Sequence, residues 1–445
     1  MMQFALRVIR KLANIGHKIT YKMAVLFARI EDKSLRILLG TDYSVRARSE
    51  MTFEEKIYSS IPLIVPLNPS LPAIGRPAKV ALVVPSLTSR GFYGGVATAL
   101  IFAAKLAERH HMPLRIIQTS ETGDGRGLEQ FFTANGIAID AASVELIDIS
   151  ARRYNIYGYL DMRPDDIFIV SAWWDAQLIE QLPLTHKFIY LIQDFEPIFY
   201  ANGDMAVLAE NTYRTNRFIP VCNTELMYKF MTHQGYDYIK DNGLWFEPAV
   251  SRLASGKAVD NTGKKKQLFL YGRPNVERNL FHLSLDALNR AFSDGGLVAS
   301  EWEIWMAGQN NLPNIKLSSG AIIKNLGKMG MDEYITFSKT IDVALTPMMA
   351  PHPNYPTLEF ASIGSAVVTT KYVTKHDLSN YSDNIVITDL SVEAITAGIK
   401  KAASMSYETR MKNLATTTIA DNWDKTLAHT LKGVDEQLEQ YLKFD

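Results

Sequence analysis

The sequence predicts an α/β protein of two doubly wound halves facing each other across a cleft, preceded by an N-terminal helical extension. Three observations carry this. The chain has 445 residues, too many for one ordinary core and enough for two domains of roughly 150–200 residues. Short apolar runs alternate with helical stretches, the pattern of parallel strands covered on both faces. The alternation breaks in a polar stretch at 251–266 and then starts again.

Composition narrows the function classes. Hydrophobic residues make up 47% and charged residues 21%, a globular balance with ample core material. Forty-seven basic side chains match 47 acidic ones, so nucleic acid is not expected as a partner, because phosphate-backbone binding needs a basic excess. The single cysteine, Cys222, excludes a disulfide framework and a cysteine metal site and fits a reducing cytoplasm. The longest apolar run near the N-terminus, Met23 to Ala28, is far short of the roughly 20 residues of a membrane span. Arg7, Arg10 and Lys11 interrupt any signal-peptide core.

The elements follow in order. Residues 1–78 read as a basic amphipathic extension and a linker. Arg7, Arg10, Lys11, Lys18, Lys22 and Arg29 alternate with Phe4, Val8, Leu12, Ile15, Ile19, Met23 and Leu26 at helical spacing. Such a segment over 1–48 either lies on an anionic membrane surface, here the inner face of the plasma membrane, or packs on the protein body with its charges solvated. Pro62, Pro66, Pro69, Pro72 and Pro77 mark an extended linker over 61–78.

The first α/β domain, 79–260, has strands at 79–85, 114–118, 167–171, 188–192 and 218–222, with a glycine-bearing loop (Gly91, Gly94, Gly95) and a helix from about Val96 to Arg109 after the first. The second domain, 261–420, has strands at 267–272, 303–307, 321–325, 342–346 and 365–370. Ligands of such Rossmann-like sheets bind beyond the carboxyl ends of the strands. Residues 421–445 form an amphipathic helix carrying Trp423, Leu427, Leu431, Val434 and Leu438, which either packs back toward the first domain or closes the second.

Two stretches of the second domain carry the chemistry. After its first strand comes Gly272-Arg273, then Arg278-Asn279; two arginines five residues apart beyond a strand can converge on one diphosphate. The stretch Thr346 to Gly364 runs from a strand end through a proline-rich loop into a short helix. Pro356 suits the first helical position and Gly364 a left-handed stop. The backbone N–H groups of Tyr355 and Thr357 at this helix start suit an anion, and Glu359 a nucleoside hydroxyl. In the first domain Asp194 and Glu196 follow a strand and are placed to orient or deprotonate an acceptor hydroxyl, with helix capping as the plainer role for Asp194. Trp173 and Trp174 end a strand and offer a surface for an acceptor sugar, although neighbours on a strand face opposite ways, so at least one belongs to the core. The sequence has no Asp-x-Asp motif and no cluster with metal-ligand spacing. A site without metal or other cofactor is therefore expected, with the arginines and a helix dipole stabilising the leaving diphosphate.

The ordered set Gly272-Arg273, Arg278-Asn279, Trp305-Met-Ala-Gly308, Asn325-Leu-Gly-Lys328, Asp342-Val-Ala-Leu-Thr-Pro347 and Glu359-Phe-Ala-Ser-Ile-Gly364 resembles the donor domain of retaining GT-B glycosyltransferases of family four. Gly94-Gly95 is similar to that family's acceptor-domain glycine loop. Gln193-Asp-Phe-Glu-Pro197 and Asn422-Trp-Asp424 bring the resemblance closest to bacterial rhamnosyltransferases of S-layer glycan assembly. The resemblance implies dTDP-L-rhamnose as donor, a rhamnose-containing lipid-linked glycan as acceptor, and retention giving a β-linked product. It further implies that the Gly95 backbone approaches the donor phosphate and that Asn325, Gly327 and Lys328 contact the base. Two departures stand out. Arg278 replaces the family's lysine, and Pro351 and His352 stand where its first glutamate falls, which makes His352 a candidate catalytic residue. Two other readings stay open, a GT-B nucleotide-sugar epimerase and a non-catalytic nucleotide-sugar-binding scaffold.

Overall fold

The computed structural model describes residues 61–70, 76–87, 94–150, 159–250 and 256–442. The basic segment expected over 1–48 lies outside the described residues.

Two seven-stranded sheets form the frame. The first is made of β2 (Val80–Val84), β3 (Leu114–Gln118), β4 (Glu145–Asp148), β6 (Ile167–Val170), β7 (Phe188–Ile192), β8 (Phe218–Asn223) and β9 (Leu244–Phe246). Its spatial order is β4-β3-β2-β6-β7-β8-β9, with every pair parallel. The second is made of β10 (Lys266–Tyr271), β11 (Trp302–Ala307), β12 (Ile315–Lys316), β13 (Ile322–Asn325), β14 (Val343–Leu345), β15 (Ala366–Thr370) and β16 (Ile385–Thr388). Its order is β12-β13-β11-β10-β14-β15-β16, parallel except where β12 meets β13. Both orders run outward one way from the first strand and then the other, so each sheet has a switch point: between β2 and β6, and between β10 and β14. Loops leaving the strand ends there open a crevice, the usual ligand position of such sheets.

The central strands are continuous apolar runs because helices cover both faces. β2, β3, β7, β8 and β15 are buried at every position. The helix Gly94–His110 packs Leu100, Phe102 and Leu106 on one face of the first sheet, where the terminal helix Trp423–Leu442 adds Trp423, Leu427, Leu431, Val434 and Leu438. The opposite face is covered by Leu178, Ile179, Met227 and Phe230. The chain therefore crosses back: its last helix follows the second sheet in sequence but completes the core of the first.

The proline-rich stretch is more than an extended linker. Asn68–Ser70 (β1) pairs in parallel with Tyr159–Asp161 (β5), while Ile64 and Leu67 are buried. Pro69 is tolerated because a two-stranded ribbon is all edge, where a missing N–H breaks no central ladder. The polar stretch between the halves is also partly fixed. Ala258 and Val259 donate their N–H groups to the carbonyls of Ile363 and Lys339, tying it to the second half.

Candidate active site

The two switch points frame a cleft of about 1570 Å³. A pocket for one small molecule runs to about 300–1000 Å³, so the cleft has room for a donor and an acceptor together. Gly95, Trp174, Gln193, Asp194, Glu196 and Asn223 line it from the first half. Arg273, Arg278, Asn279, Lys328, His352, Tyr355 and Glu359 line it from the second.

The two arginines meet different environments. Gly272 packs so closely that a Cβ there would sit 3.2 Å from that of Met306. Arg273 follows it, with Nη1 donating to the Tyr271 hydroxyl at 3.3 Å, and among the described residues it forms no ion pair with a carboxylate. Arg278 sits over the Phe199 ring at 4.1 Å, its Nε 3.2 Å from Asp194 Oδ2. This ion pair crosses the cleft, so Arg278 is shared between the halves. Burial nevertheless raises the Asp194 carboxyl above its ordinary range, the pull of Arg278 and of Lys375 offsetting this only in part.

The loop after β14 and its helix are built around Asn354. Its φ of 65° with ψ of 148° is a backbone conformation that residues with a side chain rarely adopt, and two side-chain bonds hold it there. Its side chain accepts from the Thr357 N–H at 2.8 Å and donates to the Thr346 carbonyl at 2.9 Å. This corrects one expectation: Thr357 is fully buried, and its N–H is taken by the cap rather than offered to an anion. The helix is Tyr355–Ser362, so Pro356 is its second residue. Gly364 has φ 94° after the helix end, as its left-handed role requires.

Tyr355 lies at the junction. Its hydroxyl bonds Thr98 Oγ1 of the first half and accepts from Asn223 Nδ2 at 3.0 Å. One turn on, Glu359 accepts from the Tyr334 hydroxyl at 2.7 Å while lining the cleft. His352 is 4% exposed, and its Nδ1 accepts from the Asn354 N–H at 2.9 Å. Burial, with Lys375 adding to it, lowers its pKa to about 3. The ring is therefore neutral and its Nε2 carries the proton.

The first-half acids do not stand free at the cleft mouth. Glu196 Oε2 accepts from the Trp173 N–H at 2.6 Å and the Tyr190 hydroxyl at 2.9 Å, and burial pushes its pKa up to about 8. At neutral pH it is largely a neutral carboxylic acid, so the proton-accepting role expected of it is closed until that pH is passed. Trp173 and Trp174 begin a helix, Trp173–Ile179, rather than ending a strand. Trp173 is wholly buried, its Nε1 donating to the Tyr200 hydroxyl at 2.9 Å; it cannot stack on a sugar. Trp174 lines the cleft.

The expected base-contacting segment divides likewise. Asn325 donates to the Leu312 carbonyl at 2.8 Å and accepts from the Gly327 N–H at 3.0 Å; neither residue lines the cleft. They shape a turn, with Gly327 at φ 69°, that presents Lys328 to it.

Two residues went unassigned in the sequence. Lys375 is fully buried, its Nζ 3.2 Å from the carbonyls of Met348 and His352, and burial lowers its pKa to about 7. It fastens the loop that carries His352. Asn223, at the end of β8, is equally buried and reaches across to Tyr355. A polar residue closing a wholly apolar strand on the cleft side was the available signal for it. Among the described residues no group of three or more His, Cys, Asp or Glu is placed to hold a metal ion.

The arrangement matches known folds. Anabaena HepE in complex with UDP and glucose is 13% identical at a TM-score of 0.56, over 82% of this chain and 100% of that one. Sucrose-phosphate synthase from Thermosynechococcus elongatus is 10% identical at 0.52, over 82% and 100%. An α,α-trehalose 6-phosphate synthase from Burkholderia multivorans is 12% identical at 0.53, over 83% and 99%. At these identities the likeness shows the fold, which is GT-B. In sequence, 271 residues are 28% identical to the O-antigen biosynthesis protein RfbC of Myxococcus xanthus, covering 60% of this chain. The match takes in 20% of RfbC, so the chain spans about a fifth of the length of that curated relative. The WsaF N-terminal domain matches residues 79–225 and the WsaF C-terminal domain residues 266–400, together more than half of the chain. Carrying both domains in order on a GT-B fold, the chain belongs to the WsaF family.

Proposed function

We propose that the protein is a glycosyltransferase of surface-glycan assembly. It takes L-rhamnose from dTDP-L-rhamnose bound in the second half and adds it, with retention and so as a β-linked residue, to a rhamnose-containing lipid-linked glycan. The observation that carries the nucleotide-sugar reading is Arg273, a cation at the switch point of the second sheet with no carboxylate against it among the described residues. A diphosphate there supplies the missing anion, and Arg278 can turn part of its charge from Asp194 to the same group. As the bond between the sugar and the diphosphate breaks, charge grows on the leaving oxygen, where two fixed guanidinium groups stabilise it without reorganising. The backbone N–H groups at the start of the helix Gly94–His110, and that of Tyr355 in the second half, suit the same anion. Family membership and the order of motifs support rhamnose and thymidine, and RfbC's name supports a surface glycan. Work at the inner face of the plasma membrane follows from a lipid-linked acceptor.

The test is Arg273→Ala. Loss of a charge-assisted bond of about 1.5–3 kcal/mol weakens dTDP binding by about 10- to 150-fold, read by isothermal calorimetry with the melting temperature as a folding control. Unchanged affinity would remove the assignment.

A further inference from the structure

Burying an ammonium group is costly unless acceptors meet it. Lys375 is wholly buried, and the transfer chemistry makes no direct use of it. It follows β15 in the turn Tyr372–Lys375, whose end residues exchange backbone hydrogen bonds at 3.0 and 2.7 Å. What its ammonium holds is backbone: Nζ donates to the carbonyls of Met348 and His352, each at 3.2 Å. Asp194, from the first half, attracts the same charge.

A peptide group is planar, so its C=O and N–H point opposite ways and move together. The Met348–Met349 peptide uses both ends. Its oxygen accepts from Lys375, and its N–H donates to the Arg278 carbonyl at 2.8 Å. Thr370 Oγ1 steadies the same residue, accepting from the Met348 N–H at 3.0 Å. Arg278 needs such an anchor. It lies in a single 3-10 turn, Glu277–Asn279, and a lone turn is not self-supporting. From there its side chain reaches over the cleft to the Phe199 ring and Asp194.

We propose that Lys375 is a positioning residue for the donor diphosphate: through the Met348–Met349 peptide it sets where Arg278 stands, without touching the ligand itself. The turn also gives the first half a hold on this anchor. Tyr372 packs on Phe230, with ring centroids 5.9 Å apart. Val373 is kept at φ 42°, where a β-branched residue is a clear outlier that persists only if its surroundings enforce it. Lys375 thus ties the Arg278 segment, the His352 loop and the first half to one point. Arg273 stands outside this network, since it follows β10 and bonds Tyr271 of that same strand. The inference rests on the cleft being a nucleotide-diphosphate site.

The experiment is a pair of double-mutant cycles on the full chain, read by calorimetry with dTDP and with UDP as a second probe. Lys375→Met keeps the length of the side chain and removes the ammonium, with the melting temperature as a folding control. It weakens dTDP binding about 10-fold in the natural protein and in the Arg273→Ala background, a coupling within the range of residues that share one network. In the Arg278→Ala background the loss falls below about 2-fold, because the group being positioned is gone. A merely structural lysine gives the same loss in all three backgrounds, and that result overturns the inference. So does an Arg278→Ala variant that binds dTDP and UDP as the natural protein does. Where Lys375→Met does not fold, Thr370→Val loosens the same peptide with the ammonium in place. The same partition between the two arginines is expected of it, and equal losses there overturn the inference too. If neither nucleotide binds the natural protein, the functional reading and this inference fall together.

Discussion

Glu196 shows burial changing what a side chain can do. The sequence places a carboxylate after a strand, at a cleft, and its type suggests a base. The fold places it among Trp173, Tyr190 and Tyr213, with 7% exposure, where the ionised form is disfavoured. Its folded pKa of about 8 lies above the ordinary 4.5, so between these values the folded state holds a proton that the unfolded state has released. Its stabilising contribution is complete below about 4.5, falls as pH rises and is gone above about 8. Glu196→Gln keeps an acceptor oxygen and never ionises. Thermal melts of the two proteins should nearly coincide at pH 4, separate in favour of the variant between pH 5 and 8, and hold a constant gap above that. A gap independent of pH would show that Glu196 is ionised in the fold. Lys375 was hidden for the same reason: within Lys371-Tyr-Val-Thr-Lys375 it reads as a solvated lysine, and only the tertiary fold buries it. Arg273 was legible because its place, just past a strand-ending glycine, is set by local sequence.

At the scale of elements, wholly buried strands were legible and half-buried ones were not. β3 and β7 coincide with their apolar runs, whereas β4 and β16 alternate in burial, and β9 has only three residues. Edge strands bury one face or little at all, so no apolar run announces them. Asn354 was readable too, as a cap three residues before Thr357, although the proline-rich loop drew attention to the helix N–H groups instead. That cap sets where the cleft-lining helix begins. Asn354→Ala loses the cap while keeping a strained backbone that no side-chain bond now holds, and should lower unfolding stability by about 0.5–2 kcal/mol. Asn354→Gly keeps the conformation and loses the side-chain bonds, so urea unfolding should show less than half that loss. Equal losses would mean that backbone conformation contributes nothing.

For the whole molecule, the decisive feature is that the first half is not a contiguous stretch of chain. The helix Trp423–Leu442 follows the second sheet, yet Trp423 packs on Phe246, with ring centroids 6.2 Å apart, and Thr430 Oγ1 donates to the Trp245 carbonyl at 2.6 Å. Apolar periodicity could give the helix but not its partner, because an amphipathic face states only that something covers it. The crossing couples the halves. Val250 donates its N–H to the Ala420 carbonyl, and the Tyr381 hydroxyl donates to Glu247 at 2.7 Å, both between segments of different sheets. Loss of the terminal helix should therefore damage the half that is distant in sequence. Leu431→Ala, at a site 6% exposed, removes a buried side chain worth about 2–5 kcal/mol. Hydrogen exchange should then quicken first in β8, β9 and the helix Gly94–His110, with β10, β11 and β14 protected as before. A chain ending at residue 420 uncovers the whole apolar stripe and should bind a hydrophobic dye while its second half still binds dTDP. If exchange quickened first in the second sheet instead, the helix would be supporting the half it follows, and the crossed arrangement would not be what holds the cleft together.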